Sequence, residues 1–319
     1  MDIVERECEV EALKNCYASD RSEFVAVYDR RKVSKIGFGG ATAGIPNYVH
    51  AFDPHKEEDR RGVVEAIKEA YKLGINYFDT AEAYGEGASE SIFGEGLDGI
   101  PSEELFIASK VAHTKDEGDK KVIRSGAEVR QSIENSLKRL RRDYIDLIQI
   151  HGTYYSEDMV AAILEKGGIA EAIEKAKEEG LVRHIGFSIE SQNVGLDRFL
   201  ECGRFDVMQI QYNLLFQHPY DPYFKIGSLY KASEYGIGVA AMRTVTSGIF
   251  QKWIKLVNPE NTFDYNPALV QFVLSCPCVD VALLGMRSAA RVRQNVEICN
   301  DLSGRISIHD LHYRIAPPE

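Results

Sequence analysis

Along most of this chain, short apolar runs of strand length alternate with longer stretches where apolar residues recur every three or four positions. Periods near two and near 3.6 residues therefore take turns, which predicts strands and amphipathic helices in alternation. The apolar runs predict strands at 35–39, 76–79, 105–110, 145–151, 183–188, 207–211, 238–242 and 279–284. The stretches between them predict helices at 58–73, 89–97, 125–141, 170–179, 195–201, 227–235, 267–275 and 289–301. Within 125–141, Val129, Ile133, Leu137 and Leu140 form one apolar stripe. Lys138, Arg139, Arg141 and Arg142 gather at its C-terminal end, where the helix dipole favours cations, and read as a solvated helix end.

Eight strands, each followed by a helix, is the pattern of a closed parallel α/β barrel, the (β/α)8 or TIM barrel. The rival is an open doubly wound sheet. Against it, Ile36-Gly-Phe-Gly-Gly40 lacks the G-x-G-x-x-G spacing of a dinucleotide fingerprint, and no helix follows at once. No linker rich in Gly, Pro or Ser interrupts the repeat, so a single barrel domain is expected over 21–319. Residues 1–20 precede the pattern and read as an N-terminal extension whose role the residues do not reveal.

Composition narrows the function. A net charge of -11 argues against nucleic acid as a partner, since phosphate binding needs clustered Lys and Arg. The longest apolar runs are strand-sized, too short to span a bilayer, and residues 1–19 lack the apolar core of a signal peptide. A cytoplasmic location is expected. The six cysteines are scattered, and Cys276-Pro-Cys278 has no second cluster to complete a zinc site, so free thiols and no metal are expected.

Asp79, Lys110, His151, Ser188 and Gln209 sit at the C-terminal ends of predicted strands, and that end of a (β/α)8 barrel is where active sites are built. A single polar residue there is usually a helix cap or a structural group; several converging on one rim are harder to dismiss.

Three segments carry a family resemblance. Gly74-Ile-Asn-Tyr-Phe-Asp-Thr-Ala-Glu-Ala-Tyr-Gly85 fits the pattern G-x-x-x-[FY]-D-T-A-x-x-Y-G, and Ala108-Ser-Lys110 and Asp146-Leu-Ile-Gln-Ile-His151 fit its companion segments. Over roughly 33–301 the chain resembles the aldo-keto reductase family. The resemblance implies an NADP(H)-dependent oxidoreductase that interconverts a carbonyl, whether aldehyde, ketone or sugar, and the alcohol by hydride transfer. It implies a catalytic tetrad of Asp79, Tyr84, Lys110 and His151. Tyr84 would give the carbonyl oxygen its proton, or take it back from an alcohol. A free phenol titrates near about 10, so Lys110 is expected to lower it, with Asp79 holding Lys110 charged. His151 would hydrogen-bond the substrate oxygen.

The same resemblance implies the cofactor contacts. Ser188 and Gln209 would hold the nicotinamide carboxamide, although Ile189 stands where the family has Asn. Gly39, Gly40 and Ala41 match the small-residue loop beside the nicotinamide ribose, and Asp79 borders the same place. Met242 stands where an aromatic ring often stacks on the nicotinamide, and Arg243, where Ser is common, would contact diphosphate or substrate. Gly285-Met286-Arg287-Ser288 through Asn295 looks like the adenosine-phosphate segment, with Arg287, Ser288 and Arg291 on the 2′-phosphate and Gln294 and Asn295 on the adenine. Arginine forks and a helix N-terminus suit a phosphate, so NADP is expected over NAD.

An NADP-binding regulatory or redox-sensing subunit of the same fold is the alternative reading. A lyase or hydrolase on a barrel would need a metal cluster, paired carboxylates or an activated nucleophile, none of which is assembled here. An isomerase using the nicotinamide transiently would carry the same tetrad. The partner is a small carbonyl or alcohol. Its identity, the direction of reaction and the oligomeric state stay open, because specificity lies in loops. Those loops, 42–53, 152–159, 214–224 and 244–264, bring Tyr48, His50, Phe52, Tyr154, Tyr155, Phe216, His218, Tyr220, Tyr223, Phe250 and Trp253.

Overall fold

The computed structural model describes residues 22–23 and 32–312. The expected extension at 1–20 lies outside them. Eight strands close a parallel barrel: β1 Ile36–Gly39, β2 Tyr77–Asp79, β3 Phe106–Ala112, β4 Ile145–His151, β5 Val182–Ile189, β6 Val207–Gln211, β7 Gly238–Met242 and β8 Val281–Leu284. Each pairs in parallel with the next, and β8 returns to β1 through Leu284 opposite Phe38. Around it run α1 Glu57–Lys72, α2 Ala88–Gly96, α3 Gly126–Leu140, α4 Glu157–Leu164, α5 Ile169–Glu178, α6 Val194–Glu201, α7 Ser228–Glu234, α8 Ile249–Val257, α9 Asn266–Leu274 and α10 Ala289–Asn300. No helix among the described residues is long and apolar enough to cross a membrane.

The predicted elements are all present, with ends shifted by a residue or two. Several were not predicted, among them the strand pair Ser22–Glu23 with Lys32–Val33 and the short helices Ala41–Gly44 and Ile308–His312. An antiparallel hairpin, Thr114–Glu117 with Lys120–Ile123, follows β3. Helices α4 and α8 occupy stretches read as loops.

Alternation along the strands sorts side chains into two cores. Val33, Tyr77, Phe106, Ala108, Leu147, Val207, Ala240, Val281 and Leu283 fill the barrel interior, where Tyr77 stacks on Phe106 with centroids 5.2 Å apart. A side chain at Gly37 would come within 2.8 Å of both Leu283 and Tyr77, so its absence lets those two residues fill the centre. The opposite parity, including Phe38, Phe78, Ile107, Ile148, Ile150 and Ile210, packs outward against the helices.

Helix α3 shows how such an element is set. The Ser125 hydroxyl accepts from the Glu128 N–H, and the Glu128 carboxylate accepts from the Ser125 N–H, a capping box. Its stripe of Val129, Ile133, Leu137 and Leu140 is buried. The basic end is not simply solvated, which corrects the expectation. Arg139 reaches back to the fully buried Glu90 at 2.6 Å, and Arg142 donates to the carbonyls of Leu97 and Ile100 at 2.5 and 2.7 Å. Both join α3 to the α2 region because carbonyls and a carboxylate there have no water to use.

The strand starts are tied by side chains that accept the N–H of a neighbouring strand. Asp146 accepts from Ile107 at 2.9 Å, Asp206 from Ile185 at 2.9 Å and Asp280 from Val239 at 2.7 Å. These bonds satisfy donors that the barrel ladder leaves open.

Candidate active site

At the other end of the barrel the interior positions turn polar. Asp79 ends β2 and lies opposite Ala108 on β3, so Lys110, two residues further along, faces the same interior. Lys110 in turn lies opposite Gln149 on β4, and His151 opposite Ser188 on β5. Gln209 on β6 pairs with Ser188. The parity that carries Tyr77, Phe106 and Leu147 into the core thus carries Asp79, Lys110, Gln149 and His151 into one rim.

Lys110 Nζ donates to Asp79 Oδ1 at 2.6 Å and to the Thr80 carbonyl at 2.7 Å, with both side chains essentially excluded from water. The same ammonium sits 4.9 Å from the centroid of the Tyr84 ring, an attractive position for a cation. Tyr84 meets the His151 ring edge to face at 5.6 Å. Among the described residues the Tyr84 hydroxyl has no hydrogen-bond partner, nor does the His151 imidazole. Two polar groups thus meet at the rim with their hydrogen-bonding capacity unused by the described residues.

Neighbouring residues hold this arrangement. Tyr155, buried, donates its hydroxyl toward the carbonyls of Ile150 and Ser188 at 2.9 and 3.0 Å, joining the ends of β4 and β5. His113 Nδ1 meets the His151 carbonyl at 2.7 Å. Glu90 accepts from Ser109 at 2.6 Å beside Lys110. A hydroxyl relay runs from Thr80 through Ser89 to the Gly40 carbonyl, at 2.8 and 2.9 Å. Gly40 has no room for a side chain, because one would approach Ser89 Oγ and the Asp79 carbonyl within 2.7 Å.

Electrostatics departs from the expectation at Tyr84. Burial, then the Asp79 carboxylate, push the phenol well above its ordinary range, and Tyr48 and Glu190 act the same way. The expected lowering is not seen, because desolvating a phenolate dominates and the charge that opposes it, Arg243, returns less. Lys110 is itself pulled down by burial, against the attraction of Asp79. Burial raises Asp79, opposed by Lys110 and by the amides of Gln209 and Gln149. His151 is pushed down to about 3 by burial and by the Lys110 and His113 charges, so it is neutral near pH 7.

Residues 35–268 match the model of the aldo/keto reductase family. The chain belongs to that family. The match encloses the whole tetrad and stops short of Gly285. L-Galactose dehydrogenase of Arabidopsis thaliana is 35% identical over 160 residues, 49% of this chain but only 45% of that enzyme. YqkF of Bacillus subtilis (strain 168), an uncharacterized oxidoreductase, is 25% identical over 296 residues, 84% of this chain and 88% of that one. Among solved structures, the holo form of aldo-keto reductase AKR11C1 from Bacillus halodurans superposes with a TM-score of 0.70 at 23% identity, covering 91% of this chain and 93% of that one. An aldo/keto reductase from Klebsiella pneumoniae in complex with NADP and acetate gives 0.64 at 22% identity, covering 92% and 93%. At those identities the structural likeness establishes the fold.

On the cofactor side of this aldo-keto reductase the expected residues divide. Ser188 is buried, and its hydroxyl makes only long contacts with Gly152, at 3.3 and 3.4 Å. Gln209 accepts from Gln149 at 2.9 Å, and its own amide faces the Asp79 carboxylate and the Met242 sulfur, the latter at 3.7 Å and a weak acceptor. Ile189, where the family pattern has Asn, faces the outer apolar core. Arg243 is held in a left-handed conformation (φ 58°), its carbonyl accepting from Asn213 at 3.0 Å and its guanidinium pairing with Glu190 at 2.7 Å.

Gly39, Thr42 and Gly285 meet in a seam. A side chain at Gly285 would lie 2.6 Å from the Thr42 methyl, and one at Gly39 would lie 3.3 Å from the Leu284 carbonyl. Ala41 opens the helical turn Ala41–Gly44 alongside. Met286 is fully buried in the outer core, so only its backbone borders the seam. Arg287 lies across the loop after β1, donating to the carbonyls of Thr42, His50 and Tyr48 and covering the Phe52 ring. Each guanidinium nitrogen thus makes one bond within the protein, and two of its five N–H groups stay uncommitted. Ser288 caps α10 by accepting from the Arg291 N–H, and Arg291 is exposed, bonded to Gln294 at 2.6 Å. Asn295 is buried.

Several loop aromatics prove structural: Phe52, Tyr155 and Tyr220 are buried, the last stacked on Tyr230. A cavity of about 930 Å³ between α6 and the loop before α7, lined by Asn193, Tyr220, Tyr223 and Phe224, contains none of the tetrad.

Proposed function

We propose that this aldo-keto reductase interconverts a carbonyl and the alcohol with NADP(H), using Tyr84 as the acid and base. The observation that carries the reading is the free Tyr84 hydroxyl beside the buried Lys110–Asp79 pair and facing His151. A carbonyl oxygen bound between Tyr84 and neutral His151 accepts two hydrogen bonds. Tyr84 then transfers its proton as negative charge builds on that oxygen, and the Lys110 ammonium opposes the charge left on the phenolate. The raised phenol keeps Tyr84 protonated near neutrality, the state that reduction requires. Oxidation of an alcohol needs the phenolate instead.

The residues present fit a dinucleotide. Gln149 Oε1 and Thr42 Oγ1 are buried without partners, at the carboxamide end and at the Gly39–Gly285 seam respectively. Ser188 and Gln209 would hold the carboxamide, Arg243 would contact the diphosphate, and Ser288 with Arg287 and Arg291 would meet a 2′-phosphate. When bound, the nicotinamide supplies or accepts the hydride. Exposed Arg291 supports NADP over NAD.

Tyr84→Phe is expected to lose turnover by about 10²–10⁴-fold while NADPH still binds. Absorbance at 340 nm with a panel of aldehydes, ketones and sugars measures the first, and quenching of protein fluorescence the second. Near-normal turnover would remove Tyr84 from the role. A wild-type chain that binds NADPH but turns over none of the panel would favour the regulatory alternative.

A further inference from the structure

The turn between α9 and β8 holds two cysteines separated by one proline. The Cys276 carbonyl accepts from the Val279 N–H at 3.2 Å, which closes a β-turn with Pro277 and Cys278 as its central residues. Proline presets φ for the first of those positions, so the turn is fixed before any chemistry occurs. A two-residue step spans at most about 7 Å and less within a turn, inside the roughly 4.4–6.8 Å between Cα atoms that a disulfide bridges. The two thiols are close enough to interact directly, and both are reduced. They differ in access: Cys276 is fully buried, whereas Cys278 is partly exposed. The Lys35 ammonium donates to the Val279 carbonyl, next in sequence to Cys278, and places a cation beside the outer thiol.

We propose that Cys276 and Cys278 form a reversible redox pair, with Cys278 the thiol attacked by a hydroperoxide and Cys276 the thiol that resolves it. The Cys278 thiolate attacks the outer peroxide oxygen, the O–O bond breaks, and the departing alkoxide or hydroxide takes a proton from water. Cys278 is now a sulfenic acid, oxidised by two electrons, and the peroxide is reduced. The Cys276 sulfur displaces hydroxide from that sulfenic acid; with its thiol proton this leaves as water, and the S–S bond forms. Two thiols outside the protein return the pair to the reduced state by exchange, the first forming a mixed disulfide and the second displacing it, and leave as their own disulfide.

Burial pushes Cys276 up and keeps it from reacting first. Cys278 is held below the ordinary thiol range by the neighbouring Cys276 thiol and the Lys35 charge, against burial and the Asp280 carboxylate. Cys202, partly buried and raised by burial, serves as the internal comparison.

The test is brief exposure of the intact protein to hydrogen peroxide, followed by alkylation and peptide mass mapping. The wild type is expected to lose about 2 Da on the peptide carrying residues 276–278, restored by dithiothreitol. Cys276→Ala is expected to trap a dimedone-reactive sulfenic acid on Cys278, and Cys278→Ala to leave Cys276 reduced. The proposal is overturned if both thiols remain alkylatable, if Cys202 oxidises as fast as Cys278, or if the bridge joins either cysteine to another. None of these outcomes depends on carbonyl turnover, so the tetrad and the thiol pair stand or fall separately.

Discussion

Lys110 and Asp79 are almost wholly removed from water, so the charge on each depends on the other. Taking away the ammonium leaves a carboxylate in a site that cannot solvate it. Lys110→Met is therefore expected to cost stability as well as turnover, and the stability loss should depend on pH. Burial already raises Asp79, and without Lys110 it rises further. A raised carboxyl binds a proton more tightly in the folded than in the unfolded chain, so its contribution is present at low pH and lost as pH rises through the folded value. Urea unfolding should show the variant close to wild type near pH 4 and progressively weaker toward pH 8; a gap constant across that range would mean Asp79 does not become the liability.

Two other titrations shape the reaction itself. His151 is neutral down to about 3, and Tyr84 stays protonated above the ordinary phenol range. Reduction needs both forms, so its rate should be flat from about pH 5 to about pH 9. Oxidation needs the phenolate and should climb across the same interval. Initial rates in both directions check this, and a reductive rate that falls between about pH 6 and 8 would require another group to titrate.

Among the elements, β4 and β5 depend on a residue from neither strand. Tyr155 lies in the loop after β4, and its one hydroxyl proton serves two carbonyls, at the last turns of both strands. Tyr155→Phe keeps the ring that packs on Phe199 and removes that link. A loss of about 1 kcal/mol in urea unfolding is expected, with turnover reduced less than tenfold, since His151 and Ser188 loosen but remain. An unchanged midpoint would show the shared bond to be idle.

Elements also decide what could be read in advance. Side-chain parity is written in the residues, so Asp79, Lys110, His151, Ser188 and Gln209 fall on one rim from the sequence alone. The hairpin after β3 escaped because its strands are polar and exposed, although Gly118-Asp119 between Glu117 and Lys120 is a two-residue turn signal. Helix α8 escaped although Ile249, Phe250, Trp253, Ile254 and Val257 recur at helical spacing. The bonds of Arg287 to the loop after β1 are not legible in the residues: a guanidinium satisfies phosphate and carbonyl oxygens alike, and only the fold reveals that this loop passes beneath it. Burial of Tyr84, which reverses the sign of its shift, likewise arises from contacts distant in the chain.

Across the whole molecule the barrel separates the groups that hold it from the groups that react. Carboxylates at the strand starts accept backbone N–H groups, while the tetrad occupies the strand ends. Asp206 is one of the former: it accepts from Ile185 at 2.9 Å, pairs with Lys177 at 3.2 Å and lies 3.6 Å from His184. Burial pushes its carboxyl up, but His184, the Ile185 N–H and Lys177 together outweigh that and hold it below the ordinary range. A depressed carboxyl contributes stability above its unfolded value and loses it as pH falls through the folded one. Asp206→Ala should thus be weaker than wild type by about 1–3 kcal/mol near pH 7. That gap should close as the solution is acidified below about pH 4. Turnover should stay within about twofold, because β5 still delivers Ser188 through its ladder with β4 and β6. If Asp206→Ala instead lost turnover as severely as Lys110→Met while unfolding at the wild-type midpoint, the two ends of the barrel would be coupled, and the division between holding and reacting groups would fail.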